Sequence, residues 1–302
     1  LIASQAKLFN VRISTDLGQF PLQELRRLPM LQGVPLPLVL EGKYNGTIKE
    51  AVLSDKGLDS LALDSQLSSG KIVVKNVAPG ISLDVSRIDL SVTDFSFGKP
   101  FHVVLKAAYM GEVPNIDLQG DVSYDMVTQN ICLNNMTFAT DLALWPSEKI
   151  KAETGPLKDI PLPQKIVGKL QATAKELSAG PQGLGSVLLD AQLQEAGVSF
   201  KEVAPGISFD ASKINFALRN FSLNAPFGVS LQMAYLNDAP NIDLEGTAFY
   251  NLKTQDVRLK DTKVSVDLDA ISLERLKSSI TMLKDVPLPE ILGGKLEATI
   301  KN

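Results

Sequence analysis

The sequence predicts a mainly β fold, built as tandem repeats of a curved antiparallel meander sheet with one short helix per repeat. Three observations carry this expectation. Motifs recur at a fixed spacing of 126 residues, apolar and polar residues alternate at the period of a strand, and helical patterning is confined to one stretch in each repeat.

The repeat is justified first. Val77-Ala78-Pro79-Gly80-Ile81-Ser82 returns as Val203-Ala204-Pro205-Gly206-Ile207-Ser208, and Pro114-Asn115-Ile116-Asp117-Leu118 as Pro240-Asn241-Ile242-Asp243-Leu244, both 126 residues on. Part of the unit occurs three times, since Pro35-Leu36-Pro37, Pro161-Leu162-Pro163 and Pro287-Leu288-Pro289 stand ahead of Gly42-Lys43, Gly168-Lys169 and Gly294-Lys295. The period places whole repeats at 42–167 and 168–293, the C-terminal part of an upstream repeat at 1–41 and the first strand of a downstream repeat at 294–302. The opening Leu1-Ile2-Ala3-Ser4-Gln5 has neither Met nor a signal-peptide pattern, so the chain is expected to be a stretch of a longer array with unpaired end strands.

The strands follow from alternation. Val103, Leu105, Ala107 and Tyr109 share one face of a strand, and Val229, Leu231, Met233 and Tyr235 share it in the second copy, opposite Ser230 and Gln232. Ile242, Leu244, Ala248 and Tyr250 come next, after the Asn237-Asp238-Ala239-Pro240 turn signal, which makes an antiparallel hairpin. The phase switches between Leu259 and Val264, and between Leu133 and Met136, which requires a β-bulge near Asp261. Similar slips after Phe209 and Leu218 predict strong curvature, with six or seven strands per copy. The one helix candidate in each unit starts after Phe20, Trp145 or Ile271, at Pro21, Pro146 or Ser272. Leu273, Leu276, Ile280 and Leu283 would form its apolar face, and Gly155-Pro156 shortens the helix of the middle copy.

Composition narrows the function classes. The 302 residues allow one large or two medium domains. Lys and Arg number 30 against 34 Asp and Glu, with the signs interspersed, so nucleic acid and an anionic membrane surface are excluded as the main partner. No run approaches the roughly 18 apolar residues of a membrane span. The single cysteine, Cys132, excludes an internal disulfide.

Counting then bears on function. A sheet of this many strands spans roughly 30 Å per copy, whereas a ten-residue helix is about 15 Å long. One helix leaves most of the apolar face uncovered. The sheet therefore closes on itself as a sandwich or barrel, or curls into a trough whose apolar lining meets a ligand.

The Gly168-Lys169-Leu170-Gln171-Ala172-Thr173-Ala174 opening, the Val187-Leu188-Leu189-Asp190-Ala191-Gln192-Leu193 strand and the stretch from Val198-Ser199-Phe200 to Ala204-Pro205-Gly206-Ile207-Ser208 resemble the AsmA family of bacterial envelope proteins. The resemblance covers both copies. It implies a repeating β-groove of the bridge-like lipid-transfer kind, anchored in the inner membrane by a segment outside this chain. The implied partners are phospholipid or another acyl-chain lipid and neighbouring repeats of the same chain, in the periplasm, with membrane contact made elsewhere and a part in outer-membrane lipid transport. No nucleic acid partner, cofactor or metal is expected.

With the sparse helical cover and the resemblance together, the apolar stripe is expected to line a lipid-binding groove: Val103, Leu105, Tyr109, Ile116, Leu118, Val229, Leu231, Met233, Tyr235, Ile242 and Leu244. The rival is a structural or adhesive stalk of closed β-sandwich repeats without a lipid ligand. Catalysis is not expected. His102 corresponds to Gly228 and Cys132 to Arg258, so neither belongs to a repeated site, and both have polar-face parity. Asp117 and Asp243, following Asn115 and Asn241, lack the dense acidic loop of a calcium site. They, and the pair Asp267 and Asp269, are expected on solvated strand faces.

Overall fold

The computed structural model describes residues 6–25, 36–55, 57–78, 81–125, 128–146, 148–149, 163–181, 183–251, 254, 256–289 and 293–301. Gly155-Pro156, and with them the expected shortening of the middle helix, lie outside the described residues, as do Pro35, Pro79-Gly80 and Pro161-Leu162.

Alternation without long helical periodicity produces fourteen strands: β1 (Ala6–Asp16), β2 (Val39–Ser54), β3 (Gly57–Ala78), β4 (Ile81–Ser96), β5 (Phe101–Tyr109), β6 (Ile116–Asp125), β7 (Asn130–Asp141), β8 (Lys165–Gly180), β9 (Gly183–Ala204), β10 (Ile207–Ser222), β11 (Pro226–Tyr235), β12 (Ile242–Tyr250), β13 (Val257–Asp267) and β14 (Lys295–Ile300). Their hydrogen-bonded order is the chain order, an antiparallel meander. The strands β8 to β13 repeat β2 to β7 at the 126-residue spacing, six per copy; the first strand of each copy opens at Val39 and Lys165, three residues ahead of Gly42 and Gly168. The order is open, with β1 paired to β2 and β14 to β13, so the sheet neither closes into a barrel nor separates into sandwiches. The chain divides into two compact units, one holding β1 to β6 with most of β7, the other most of β8 and β9 with β10 to β14.

Each sheet is bent by bulges set side by side. In the first unit Gly42 (φ 128°), Ser69 (φ 52°) and Arg87 (φ 49°) fall on the neighbouring strands β2, β3 and β4. The register shifts at the same level, between Glu41 and Lys43, Leu67 and Gly70, and Ser86 and Asp89. In the second unit Gly168 (φ 131°), Glu195 (φ 48°) and Lys213 (φ 48°) repeat the line. The strands cross so closely here that a Cβ on Gly42 would lie 2.8 Å from Gly70 Cα, which accounts for glycine in the repeated Gly-Lys pair. The phase changes read from the sequence are real bulges: Asp261 has φ 50°, and the β9–β10 pairing shifts after Ala211 and after Leu218.

A bulge frees a backbone N–H from the ladder, and a side chain takes it up. Asp64 Oδ1 accepts from the Asp94 N–H at 2.8 Å, and Asp190 Oδ1 from the Asn220 N–H at 2.6 Å. Asp89 and Asn215 receive the N–H groups of Ser69 and Glu195 at 3.0 and 3.1 Å. A lysine completes each outer cluster: Lys49 Nζ stands 2.8 Å from Asp64 and 2.7 Å from Asp94, and Lys175 Nζ stands 2.7 Å from Asp190 and donates to Asn220 Oδ1 at 2.7 Å.

The hairpins after β5 and β11 are braced by asparagine. Asn241, 2% exposed, accepts from the Tyr235 N–H through Oδ1 at 2.8 Å and donates to the Tyr235 carbonyl through Nδ2 at 3.0 Å; Asn115, also 2% exposed, does the same for Tyr109.

Among the described residues α-helix occurs at α1 (Leu22–Leu25), at Glu148 and Lys149, and at α2 (Leu273–Ser279). Ser272 caps α2, its hydroxyl accepting from the Arg275 N–H. The helix is shorter than its apolar spacing suggests. Ile280 leaves helical geometry (φ −124°) and bridges to Ile207, and Leu283 sits in a following 3-10 turn, so Ile280 and Leu283 are not on the helix face with Leu273 and Leu276. The Thr281 N–H to Gly206 carbonyl bond draws this segment back over the β9–β10 hairpin.

Two expectations follow. Asn241→Ala should cost about 1–3 kcal/mol in urea unfolding, because it leaves the Tyr235 N–H and C=O unpaired in a buried place. The second concerns acid. The Lys49 hydrogen bond holds the Asp64 carboxyl below its ordinary value, and the Asn220 N–H, then Lys175, holds Asp190 down. A depressed carboxylate stabilises the fold at neutral pH, and that contribution disappears as pH falls from about 4 through the depressed pKa. Urea midpoints should therefore decline on acidification, and Asp190→Asn should shallow that decline.

Candidate functional site

Antiparallel partners share a sheet face, so the register extends each short alternating stripe into a row. In the first unit one row runs Thr15, Tyr44, Leu67, Leu90, Leu105, Leu118 across β1 to β6. In the second unit the matching row runs Leu193, Phe216, Leu231, Leu244, Val264, Ala298 across β9 to β14. Flanking rows add Val92 with Val103, Val85 with Tyr109, Leu218 with Val229, and Met233 with Ile242 and Val266. All eleven residues expected to line a groove, Val103, Leu105, Tyr109, Ile116, Leu118, Val229, Leu231, Met233, Tyr235, Ile242 and Leu244, lie on this one apolar face within their own units, and all are half-buried.

Aromatic clusters bracket the face at both strand ends. Phe95 makes edge-on contacts with Phe101 at 5.0 Å and Phe97 at 5.6 Å, and Phe221 meets Phe227 at 4.8 Å. At the other end Tyr109 meets Trp145 at 5.8 Å, and Phe209 stacks on Tyr235 at 5.3 Å. Sequence alternation missed these clusters, along with Leu67, Leu90, Phe216 and Leu218, because the bulges reverse odd and even parity within a strand. Restarting the phase after each slip would have recovered them.

What covers the face is decided by burial. Among the described residues seven of the fourteen buried apolar residues are alanines, the larger ones including Ile88, Met110, Met136, Phe227 and Leu236, and the largest fully buried side chain is Thr262. A packed core of this size would enclose leucines and phenylalanines completely. Neighbours along the rows shield each side chain from the flanks, and among the described residues a second layer is seen where α2 packs on β10 and where Trp145 meets Tyr109.

The polar groups weighed from sequence fall elsewhere. His102 Nδ1 lies 2.9 Å from Asp121 Oδ1 on the opposite face, a pair that Gly228 and Thr247 replace in the second copy. Cys132 is a half-buried free thiol. Asp117 lies 3.6 Å from Lys106, and Asp243 accepts from Gln232 at 2.9 Å. Asn115 and Asn241, which precede β6 and β12, are buried braces of their hairpins. One placement differs from expectation. Asp267 and Asp269 do not share a strand face: β13 ends at Asp267, whose carboxylate accepts the Asp269 N–H, and Asp269 in turn accepts from Gly294, so both form a turn.

A face open on one side predicts mild costs for truncation. Leu105→Ala and Leu231→Ala should each destabilise by about 1–2 kcal/mol in urea, below the 2.7–5.0 kcal/mol typical of enclosed leucines; a larger loss would mark a sealed core. No protein-family model matches the chain, and no curated protein or solved structure is significantly similar to it.

Proposed function

We propose that this chain binds phospholipid acyl chains along its apolar sheet face and lets them pass from position to position, as a segment of an elongated AsmA-like carrier in the periplasm, anchored in the inner membrane through another segment and serving lipid transport to the outer membrane. The observation that supports the reading is the half-buried row running strand to strand in each unit, from Tyr44 to Leu118 and from Leu193 to Val264. Moving hydrocarbon onto such a face is favourable by about 25 cal/mol for each Å² of apolar surface withdrawn from water. Successive rows are chemically alike, so neighbouring positions differ little in free energy and transfer along them needs no reaction. Head groups stay in solvent.

Native mass spectrometry of the purified chain should show co-purified phospholipid. Leu231→Glu should abolish crosslinking of a diazirine-labelled acyl chain while leaving the circular dichroism spectrum unchanged, because the residue contacts ligand more than core. Loss of folding in that variant would mean the side chain packs inside the protein, and a wild-type chain that neither carries nor takes up lipid would end the carrier reading.

A further inference from the structure

One of the differences between the two copies on the apolar face brings in polar groups. Tyr44 and Gly46 lie two residues apart on β2, and Ser65 on β3 is paired directly with Gly46. A Cβ on Gly46 would stand 2.8 Å from the Tyr44 hydroxyl oxygen, so the phenol leans along the sheet into the space that the glycine leaves. The corresponding residues of the second copy are Leu170, Ala172 and Ala191, and the third occurrence of the first two positions again has Leu296 and Ala298. Tyrosine and glycine therefore replace leucine and alanine as a coupled pair, because the alanine methyl group would collide with the phenol oxygen. Aromatic cover over a strand glycine accounts for the ring, but phenylalanine would supply that as well. It does not account for the hydroxyl, or for a serine facing the same gap where the second copy has alanine. Neither hydroxyl has a side-chain hydrogen-bond partner among the described residues. Ile13 and Val92 close the gap on either side, since Ile13 pairs with Gly46 and Val92 with Ser65.

We propose that Tyr44, Gly46 and Ser65 form a polar notch in the apolar face of the first copy, which holds the ester or carboxyl oxygens of an acyl lipid through two donated hydrogen bonds. This rests on the lipid-carrier reading and refines it: the first copy selects for an oxygen at the end of the hydrocarbon, and the second takes hydrocarbon alone. In a greasy setting the two hydroxyls discriminate by what they leave unpaired, because an alkane in the notch strips water from them and returns nothing.

The test compares methyl dodecanoate with tetradecane as competitors for fluorescent 1-aminoanthracene bound to the whole chain. The wild type should prefer the ester, and Tyr44→Phe with Ser65→Ala should reduce that preference, read as the ratio of ester to tetradecane competition, by roughly fivefold for each hydrogen bond removed, with tetradecane competing at least as well as against the wild type. Gly46→Ala, which displaces the phenol without removing either hydroxyl, should also reduce the preference. An unaltered ester preference in the double variant, with circular dichroism intact, would show the notch to be packing only and overturn the proposal while the carrier reading stood. If neither competitor displaced the probe from the wild type, the carrier reading would fail and the notch with it.

Discussion

The architecture depends on capturing the backbone N–H groups that its bulges release. Uninterrupted strands as long as the 22 residues of β3 and β9 would twist but not bend sharply. Instead each copy places left-handed backbone at neighbouring positions on β2 to β4 and on β8 to β10, and assigns an acceptor to the freed donors: Asp64 and Asp190 for one bulge, Asp89 and Asn215 for another. These acceptors are polar-face residues that alone look like ordinary surface chemistry. Their recurrence at one period ties them to curvature.

Stability in such a sheet comes from a different balance than in a globule. Ladder hydrogen bonds and sideways contacts within rows contribute much of the stability, and many of the most buried positions go to small or hydrogen-bonded residues such as Ala107, Ala108, Ala234, Asn241 and Thr262, beside a few larger ones such as Met110 and Leu236. The alanines permit close backbone approach and the asparagines hold the hairpins, so the large side chains remain available on the face.

Much of this was legible in the sequence. The 126-residue spacing located both copies, alternation identified β5, β6, β11 and β12 with the correct apolar face, and phase slips marked the bulges at Asp261 and beyond Phe209 and Leu218. Short local patterns sufficed there because strand side chains alternate strictly until a bulge intervenes. The end of α2 at Ser279 was not legible: Ile280 keeps helical spacing in sequence, yet pairs with Ile207, a partner 73 positions away.

By itself the sequence determined the repeat, the strand content, a copy of six or seven strands and the apolar identity of one face, since each follows from local periodicity; the structure fixes the number at six. The tertiary structure decided three other things: that the sheet stays open, that Leu90 and Phe216 join the same rows as Leu105 and Leu231, and that Tyr44, Gly46 and Ser65 meet. Those outcomes depend on register between strands, which is set by bulges and long-range hydrogen bonds that composition and local pattern do not encode.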